Sequence, residues 1–202
     1  MNWLAHIFLS ESNTENRLGN LLGDLVKGKE IDRLNDGLKI GIDRHKAIDK
    51  FTDSHPVVKL SKARIDPAYR RFGGVLVDIF YDRLLANHWA DYTHIPLAQF
   101  TQEIYTSFQG YSGEIPAPAR EIIQQMIDGD WLSSYQYSTG IENALTRIDT
   151  RIEHRTGKQT NLAQAAGILD REYTSFERDF QQFFPDLQKY IETRSIDSVL
   201  LQ

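Results

Sequence analysis

The sequence predicts an all-α, single-domain protein over residues 1–202, on three observations. Apolar residues recur at helical spacing along most of the chain, and the period-2 alternation of half-buried strands is scarce. A length of 202 residues with 41% hydrophobic and 11% aromatic content is enough for one substantial core. No internal repeat, low-complexity tract or domain linker divides it.

The first stretch, Asn2-Trp3-Leu4-Ala5-His6-Ile7-Phe8-Leu9, is an apolar run interrupted by His6. A lone histidine there is either a satisfied core residue or a ligand. Ser12-Asn13-Thr14-Glu15 reads as a capping box. It opens a helix with the core stripe Leu18, Leu21, Leu22, Leu25 and Val26, closed by Gly28. Gly19 and Gly23 form a second, small-residue stripe beside Asn20 and Asp24. Each glycine costs roughly 1 kcal/mol against alanine in a helix. The pair makes sense if another backbone approaches closely there and buries Asn20 and Asp24; alone, Asp24 is an ordinary surface aspartate.

A helical turn at 31–35 and the Asp36-Gly37 break lead into a helix from Leu38 to Asp53, which Pro56 should end. A basic segment follows, with Lys59, Lys62, Arg64, Arg70 and Arg71, and with Asp66-Pro67 as a turn or helix start. Gly73-Gly74 introduces a helix from Val75 to Trp89 that is apolar nearly all round, as expected of a buried, central one. The stretch from Thr93 to Pro118 carries a loop around Gly110-Tyr111-Ser112-Gly113. Helices are expected near 118–135, along Ile141, Leu145, Ile148 and Ile152, and from Asn161 to about Phe184. Phe176, Phe180, Phe183 and Phe184 supply a C-terminal aromatic cluster, and Pro185 punctuates it.

Composition excludes several function classes. Without cysteine there are no disulfides, no thiolate catalysis and no cysteine-ligated metal, so any metal must be held by nitrogen and oxygen. No apolar run approaches the roughly 18 residues of a membrane span. The first ten residues lack the basic n-region of a secretory signal, and a cytoplasmic protein is expected. The net charge of −5 is uneven: residues 1–90 carry +2 and residues 91–202 carry −7. The basic run at 59–71 is either a solvated face or a dock for an anionic partner. Nucleic-acid binding would want a much more basic domain.

Chemistry concentrates in the first 82 residues. On a wheel of about 100° per residue, His45, Asp49 and Asp53 fall on the same face as Leu38, Ile42 and Ile48. Three titratable groups thus point where the pattern calls for core. A solvated stripe on a half-buried helix is one reading. The other is a ligand set, because buried charges persist only when paired, hydrogen-bonded or metal-bound. Asp78 and Asp82 pose the same problem on the most apolar helix, where either salt bridges or a shared cation would resolve it. Histidines and aspartates drawn from several helices suit a hard divalent cation that activates water, which favours phosphoester hydrolysis.

At this point the chain resembles the acyl carrier protein phosphodiesterase (acyl carrier protein hydrolase) family. The likeness is carried by Met1-Asn2-Trp3-Leu4-Ala5-His6 and by Gly19-Asn20-Leu21-Leu22-Gly23-Asp24-Leu25-Val26-Lys27-Gly28. It continues in Gly41-Ile42-x-x-His45-Lys46-x-Ile48-Asp49-x-Phe51-Thr52-Asp53-x-His55-Pro56 and Asp78-x-x-Tyr81-Asp82-x-x-Leu85-x-x-x-Trp89. The resemblance implies a helical bundle distantly related to the HD-domain phosphohydrolases, although no adjacent His-Asp dipeptide occurs and His45…Asp49 would stand in for it. It also implies Mn²⁺-dependent removal of 4′-phosphopantetheine from holo-acyl carrier protein. One position departs: the family pattern commonly has a histidine after the second aspartate of D-x-x-x-D, and here it is Arg83.

The resulting expectation is a metal-dependent phosphodiesterase. Asp24, His45, Asp49 and Asp78 hold Mn²⁺, or another divalent cation such as Mg²⁺ or Fe²⁺. His6, Asp53 and Asp82 are the catalytic candidates, and Lys27 and Lys46 the phosphate contacts. The segment 59–71 docks an acidic carrier protein. Residues 1–90 form the catalytic half and 91–202 a helical scaffold. An HD-like hydrolase of a nucleotide or small phosphoester, and a non-catalytic carrier-binding module, are the rival readings.

Overall fold

A computed structural model describes residues 1–200, with side chains described through Arg194. Among these residues every regular element is helical. The α-helices are α1 (Trp3–Phe8), α2 (Thr14–Leu22), α3 (Lys29–Asp32), α4 (Asp36–Ser54), α5 (Pro56–Arg64), α6 (Gly73–Asn87), α7 (Leu97–Gln109), α8 (Ala117–Asp128), α9 (Trp131–Ser134), α10 (Ser138–Thr156) and α11 (Ala166–Leu200). Short 3₁₀ turns lie at Pro67–Phe72, Trp89–Asp91 and Leu162–Ala165. Among the described residues, no helix is long and apolar enough to cross a membrane.

Local chemistry sets most boundaries. Asn13, not Ser12, caps α2, its side chain accepting from the Asn16 N–H at 2.8 Å. That helix stops at Leu22 and does not run to Gly28, because the Asp24 and Leu25 N–H groups tighten onto the Leu21 and Leu22 carbonyls. Val26 is still buried by that turn. Asn35 caps α4 through the Leu38 N–H at 2.9 Å. His55 is extended, as a residue before proline must be, and Pro56 opens α5 at its first position. Two differences come from tertiary packing. The stretch from Thr93 to Pro118, for which the sequence predicts only the loop around Gly110, also contains α7 ahead of that loop, held by buried Phe100, Ile104 and Phe108. Pro185 does not end α11; Phe183, Phe184 and Leu187 are fully buried on either side of it, and that burial outweighs the missing N–H.

The core joins α6 to α11. Phe80 meets Phe176 edge-on at 5.4 Å, Tyr81 meets Phe180 at 5.4 Å, and Phe180 stacks on Phe184 at 5.0 Å. A buried polar knot ties α5 to both: the Ser61 hydroxyl donates to Asp179 at 2.7 Å and lies 2.8 Å from the Tyr81 hydroxyl, while Arg64 Nε donates to Asp179 at 3.1 Å.

The backbones of α2 and α4 touch. A Cβ on Gly41 would stand 2.7 Å from the Asn20 nitrogen and 2.8 Å from Gly19 Cα, and one on Gly19 would stand 2.9 Å from Leu38 Cα. At Gly19 the small-residue stripe therefore admits a second backbone, as its spacing predicts; at Gly23, just past α2, it admits a side chain. A Cβ on Gly23 would enter the His45 ring, 2.6 Å from Cδ2. This contact places the middle of α4 against α1 and α2.

Candidate active site

The side chains singled out in the sequence come from α1, α2, α4 and α6, and most of them meet at one end of the α2–α4 contact. His45 on α4 is buried by the close approach at Gly23. Its ring stacks on His6 of α1, centroids 4.1 Å apart at 17°. His6 Nε2 lies 3.1 Å from Asp49 Oδ1, and His45 Nε2 lies 3.1 Å from Asp49 Oδ2. One carboxylate thus faces two imidazoles, one on each oxygen. Asp24 stands 3.6 Å from His45 Nε2 and is held by the Trp3 indole N–H at 2.9 Å.

The hydrogen-bond network assigns the His6 tautomer. The Asn20 amide nitrogen donates to the His6 carbonyl at 2.7 Å and to Ser10 Oγ at 2.8 Å, so its oxygen faces His6 Nδ1 at 2.8 Å as an acceptor. Nδ1 carries the proton. Burial lowers the His6 pKa, more than the hydrogen bond to Asp49 raises it. The neutral ring then turns a bare Nε2 lone pair toward two more acceptors, Asp49 Oδ1 and the Met1 carbonyl, each at 3.1 Å. Converging lone pairs with a fixed outer N–H are the donor arrangement of a cation site. His45 differs: burial opposes its charge, but the Asp49 hydrogen bond and the Asp24 carboxylate prevail and its pKa is raised. Burial would raise the Asp49 carboxyl, but the hydrogen bond from His45 and the nearby Met1 ammonium hold it far below the usual carboxylate range.

The paired carboxylates of α6 are resolved by the start of the chain and not by Arg83. The Met1 ammonium, fully buried, sits 3.0 Å from Asp78 Oδ1 and 3.6 Å from Asp49 Oδ1. Asp82 accepts the backbone N–H groups of Leu4 at 2.7 Å and Ala5 at 3.2 Å, capping α1 from a distant helix. Arg83 instead pairs with Asp170 of α11 at 3.1 Å. Burial pushes the Asp82 carboxyl up to about 7 against those two N–H bonds. Asp82→Ala should therefore destabilise the protein by about 3 kcal/mol, since each orphaned buried donor costs roughly 1–3 kcal/mol. Asp82→Asn should cost less and also separates the charge. The folded state binds this proton more tightly than the unfolded chain, so the carboxyl's contribution is complete in acid and is lost as pH rises through about 7. The stability gap between wild type and Asp82→Asn, measured by urea unfolding at pH 5 and pH 8, should narrow at the higher pH.

Three other expected residues lie apart. Asp53 is 73% exposed and paired with Lys62 at 2.7 Å. Lys46 is exposed and paired with Asp43 at 2.8 Å, and Lys27 is exposed at the end of the turn after α2. The physical reason is the path of α4: the face that is buried at His45 is 42% exposed at Asp49 and open at Asp53. Asp24, at 43% exposure, is likewise a rim residue and not buried with Asn20.

The cluster opens into a cleft of about 250 Å³ whose floor holds Asp24, Asp49 and Asp78. The second half of the chain also lines it, with Trp131, Tyr135, Arg147 and Arg151. Sequence reasoning singled out none of these. The one available signal was two arginines four apart on a helix whose other face is apolar.

A family model described as acyl carrier protein phosphodiesterase matches residues 1–187. The acyl carrier protein phosphodiesterase of Serratia proteamaculans is 28% identical over 200 residues, covering 97% of this chain and all of the relative. Those of Pectobacterium atrosepticum and Yersinia pestis are each 26% identical over 197 residues with the same coverage. No solved structure matches.

Proposed function

The chain belongs to the acyl carrier protein phosphodiesterase family, and from that premise we propose that it hydrolyses the phosphodiester joining 4′-phosphopantetheine to the serine of holo-acyl carrier protein. Water adds to phosphorus, the bond to the serine oxygen breaks, and the serine takes up a proton, leaving apo-carrier and 4′-phosphopantetheine. The observation that carries this reading is the convergence of His6, His45 and Asp49, whose ligand atoms all lie within 4.8 Å of one another. Two nitrogens and carboxylate oxygens without sulfur suit Mn²⁺, with Mg²⁺ or Fe²⁺ as alternatives. Such a cation, when bound, offsets charge on the phosphoryl oxygens and lowers the pKa of water.

The protein's own groups have separable parts in this proposal. Asp49 aligns the His45 imidazole, and Asn20 fixes the His6 ring so that Nε2 turns its lone pair to the site. His6 joins His45 and Asp49 as a ligand candidate, with Asp24 and Asp78 beside them. Trp3 holds Asp24 at the cleft rim. Asp82 supports the site by seating α1, which carries His6. Of the basic segment offered to an acidic carrier, Lys62 and Arg64 are engaged by Asp53 and Asp179, which leaves Lys59, Arg70 and Arg71 for docking.

Purified protein incubated with holo-carrier and Mn²⁺ should convert it to a species lacking the prosthetic arm, read by intact mass spectrometry. Chelation followed by desalting should abolish conversion, and added Mn²⁺ should restore it. An unchanged carrier mass with Mn²⁺ present would refute the proposal.

A further inference from the structure

The cleft is lined both by carboxylates from the first half of the chain and by arginines from α10. In the same cleft lining, the Arg147 guanidinium lies 3.8 Å from the Trp131 ring centroid. Trp131 in turn stacks on Trp3 at 5.8 Å and 18°, and Trp3 holds Asp24. A continuous stack therefore runs from the acidic floor to Arg147. Arg151 lies one helical turn further along α10 and lines the same cleft.

Among the described residues, neither arginine has a carboxylate at ion-pair distance. The nearby acids of α10 are turned to other partners: Asp149 to Thr160 and the Ala163 N–H, Glu153 to Gln159. Like charges four apart on a helix repel, and Arg147 is half removed from water besides; burial lowers its pKa against a hydrogen bond to the neighbouring Tyr135 hydroxyl, with Arg151 lowering it a little further. An arrangement of this kind is relieved by an anion. A guanidinium whose plane is held by an aromatic ring presents a forked pair of donors matched to phosphoryl oxygens.

We infer that Arg147, seated on Trp131, and Arg151 form an anion subsite that binds the phosphoryl oxygens of a phosphate ester in this cleft. The identity of that ester as the carrier's phosphodiester rests on the function proposed above; the subsite itself does not. Arg147 binds and orients the phosphoryl group in a cleft where carboxylates alone would repel it. Arg151 adds charge at the mouth.

Two measurements test this separately on the full-length protein. Inorganic phosphate is titrated in the presence of Mg²⁺ and followed by tryptophan fluorescence, to which Trp131 beneath Arg147 should respond. KM and kcat are then measured with holo-carrier. Arg147→Ala should raise the phosphate dissociation constant and KM by about tenfold or more, as loss of a charge-assisted bond implies. Arg147→Lys should recover only part, because lysine keeps the charge and loses the fork. Arg151→Ala, at a more exposed position, should raise both about threefold. A wild type whose fluorescence phosphate does not alter, or Arg147→Ala and Arg151→Ala both within twofold of wild type, would overturn the inference. If Arg147→Ala fails to fold, Arg147→Lys and Arg151→Ala decide it. Arginine-dependent phosphate binding without carrier turnover would support the subsite and sink the proposed function. Turnover with wild-type constants in the variants would do the reverse.

Discussion

Asp49→Ala should lower holo-carrier turnover by about 10³-fold or more while the protein remains folded. Loss of a single partner that orients one metal-binding histidine costs roughly 10–100-fold in metal affinity or activity. Asp49 orients the His45 ring and stands as a carboxylate ligand candidate beside His6 Nε2, so its loss removes a partner and a ligand together. Among the described residues, its removal also leaves the Met1 ammonium with Asp78 as its ion-pair partner. The measurements are kcat with Mn²⁺ and the metal content of the purified variant. Asp53→Ala is the matched control: it lies one turn further along α4 and is predicted from the wheel to share the site's face. Because Asp53 is exposed and bound to Lys62, its loss should change turnover by no more than about twofold, since an exposed ion pair contributes roughly 0–1 kcal/mol. Equal losses in the two variants would contradict the geometry.

Gly41→Ala should destabilise the fold by about 3 kcal/mol, at the upper end of the roughly 1–3 kcal/mol cost of overpacking. The reason is that its new methyl would meet backbone and not a side chain that can rotate: the Asn20 nitrogen and Gly19 Cα both stand within 2.8 Å of it. Relief requires α4 to move away from α2, which draws His45 and Asp49 from His6. Activity should therefore fall further than the folded fraction does, as urea unfolding and kcat on the folded protein would show. Gly28→Ala supplies the contrast. Its φ of +57° and ψ of −130° are a glycine conformation, but nothing lies within 4 Å of an added Cβ, so local backbone strain of roughly 1–3 kcal/mol is expected with no displacement of α4 and no extra loss of activity.

Much of the site was legible because its residues break the pattern of the helices that carry them. His45 on an apolar face, and Asp78 and Asp82 on an apolar helix, are conspicuous without knowledge of any partner. The paired glycines of α2 announced a close backbone, though which backbone could not be read. What escaped was whatever depends on residues distant in sequence. The carboxylates of α6 are resolved by the first residues of the chain, 77 and 78 positions away. No local pattern distinguishes an ion pair with the Met1 ammonium and a cap on α1 from an arginine pair or a shared cation. Tyr135, Trp131 and Arg147 violate no periodicity and so looked like scaffold. Asp53 shares a wheel position with Asp49, yet a wheel carries no information on where a neighbour stops covering a helix.

Helical periodicity, caps and the placement of glycine and proline determined on their own that the chain is all-α. The blocks around His6, Asp24, His45 and Asp78 determined which family it resembles. These are properties of short range, where backbone sterics and one face of a helix suffice. Tertiary structure decided which charged residues are partners, which are solvent-exposed, and that α10 closes the cleft with arginines. Those outcomes depend on distances between elements far apart in the chain, and burial sets the strength of every charge among them. Pro185 illustrates the boundary: its local preference to stop a helix is real, and the buried phenylalanines beside it prevail.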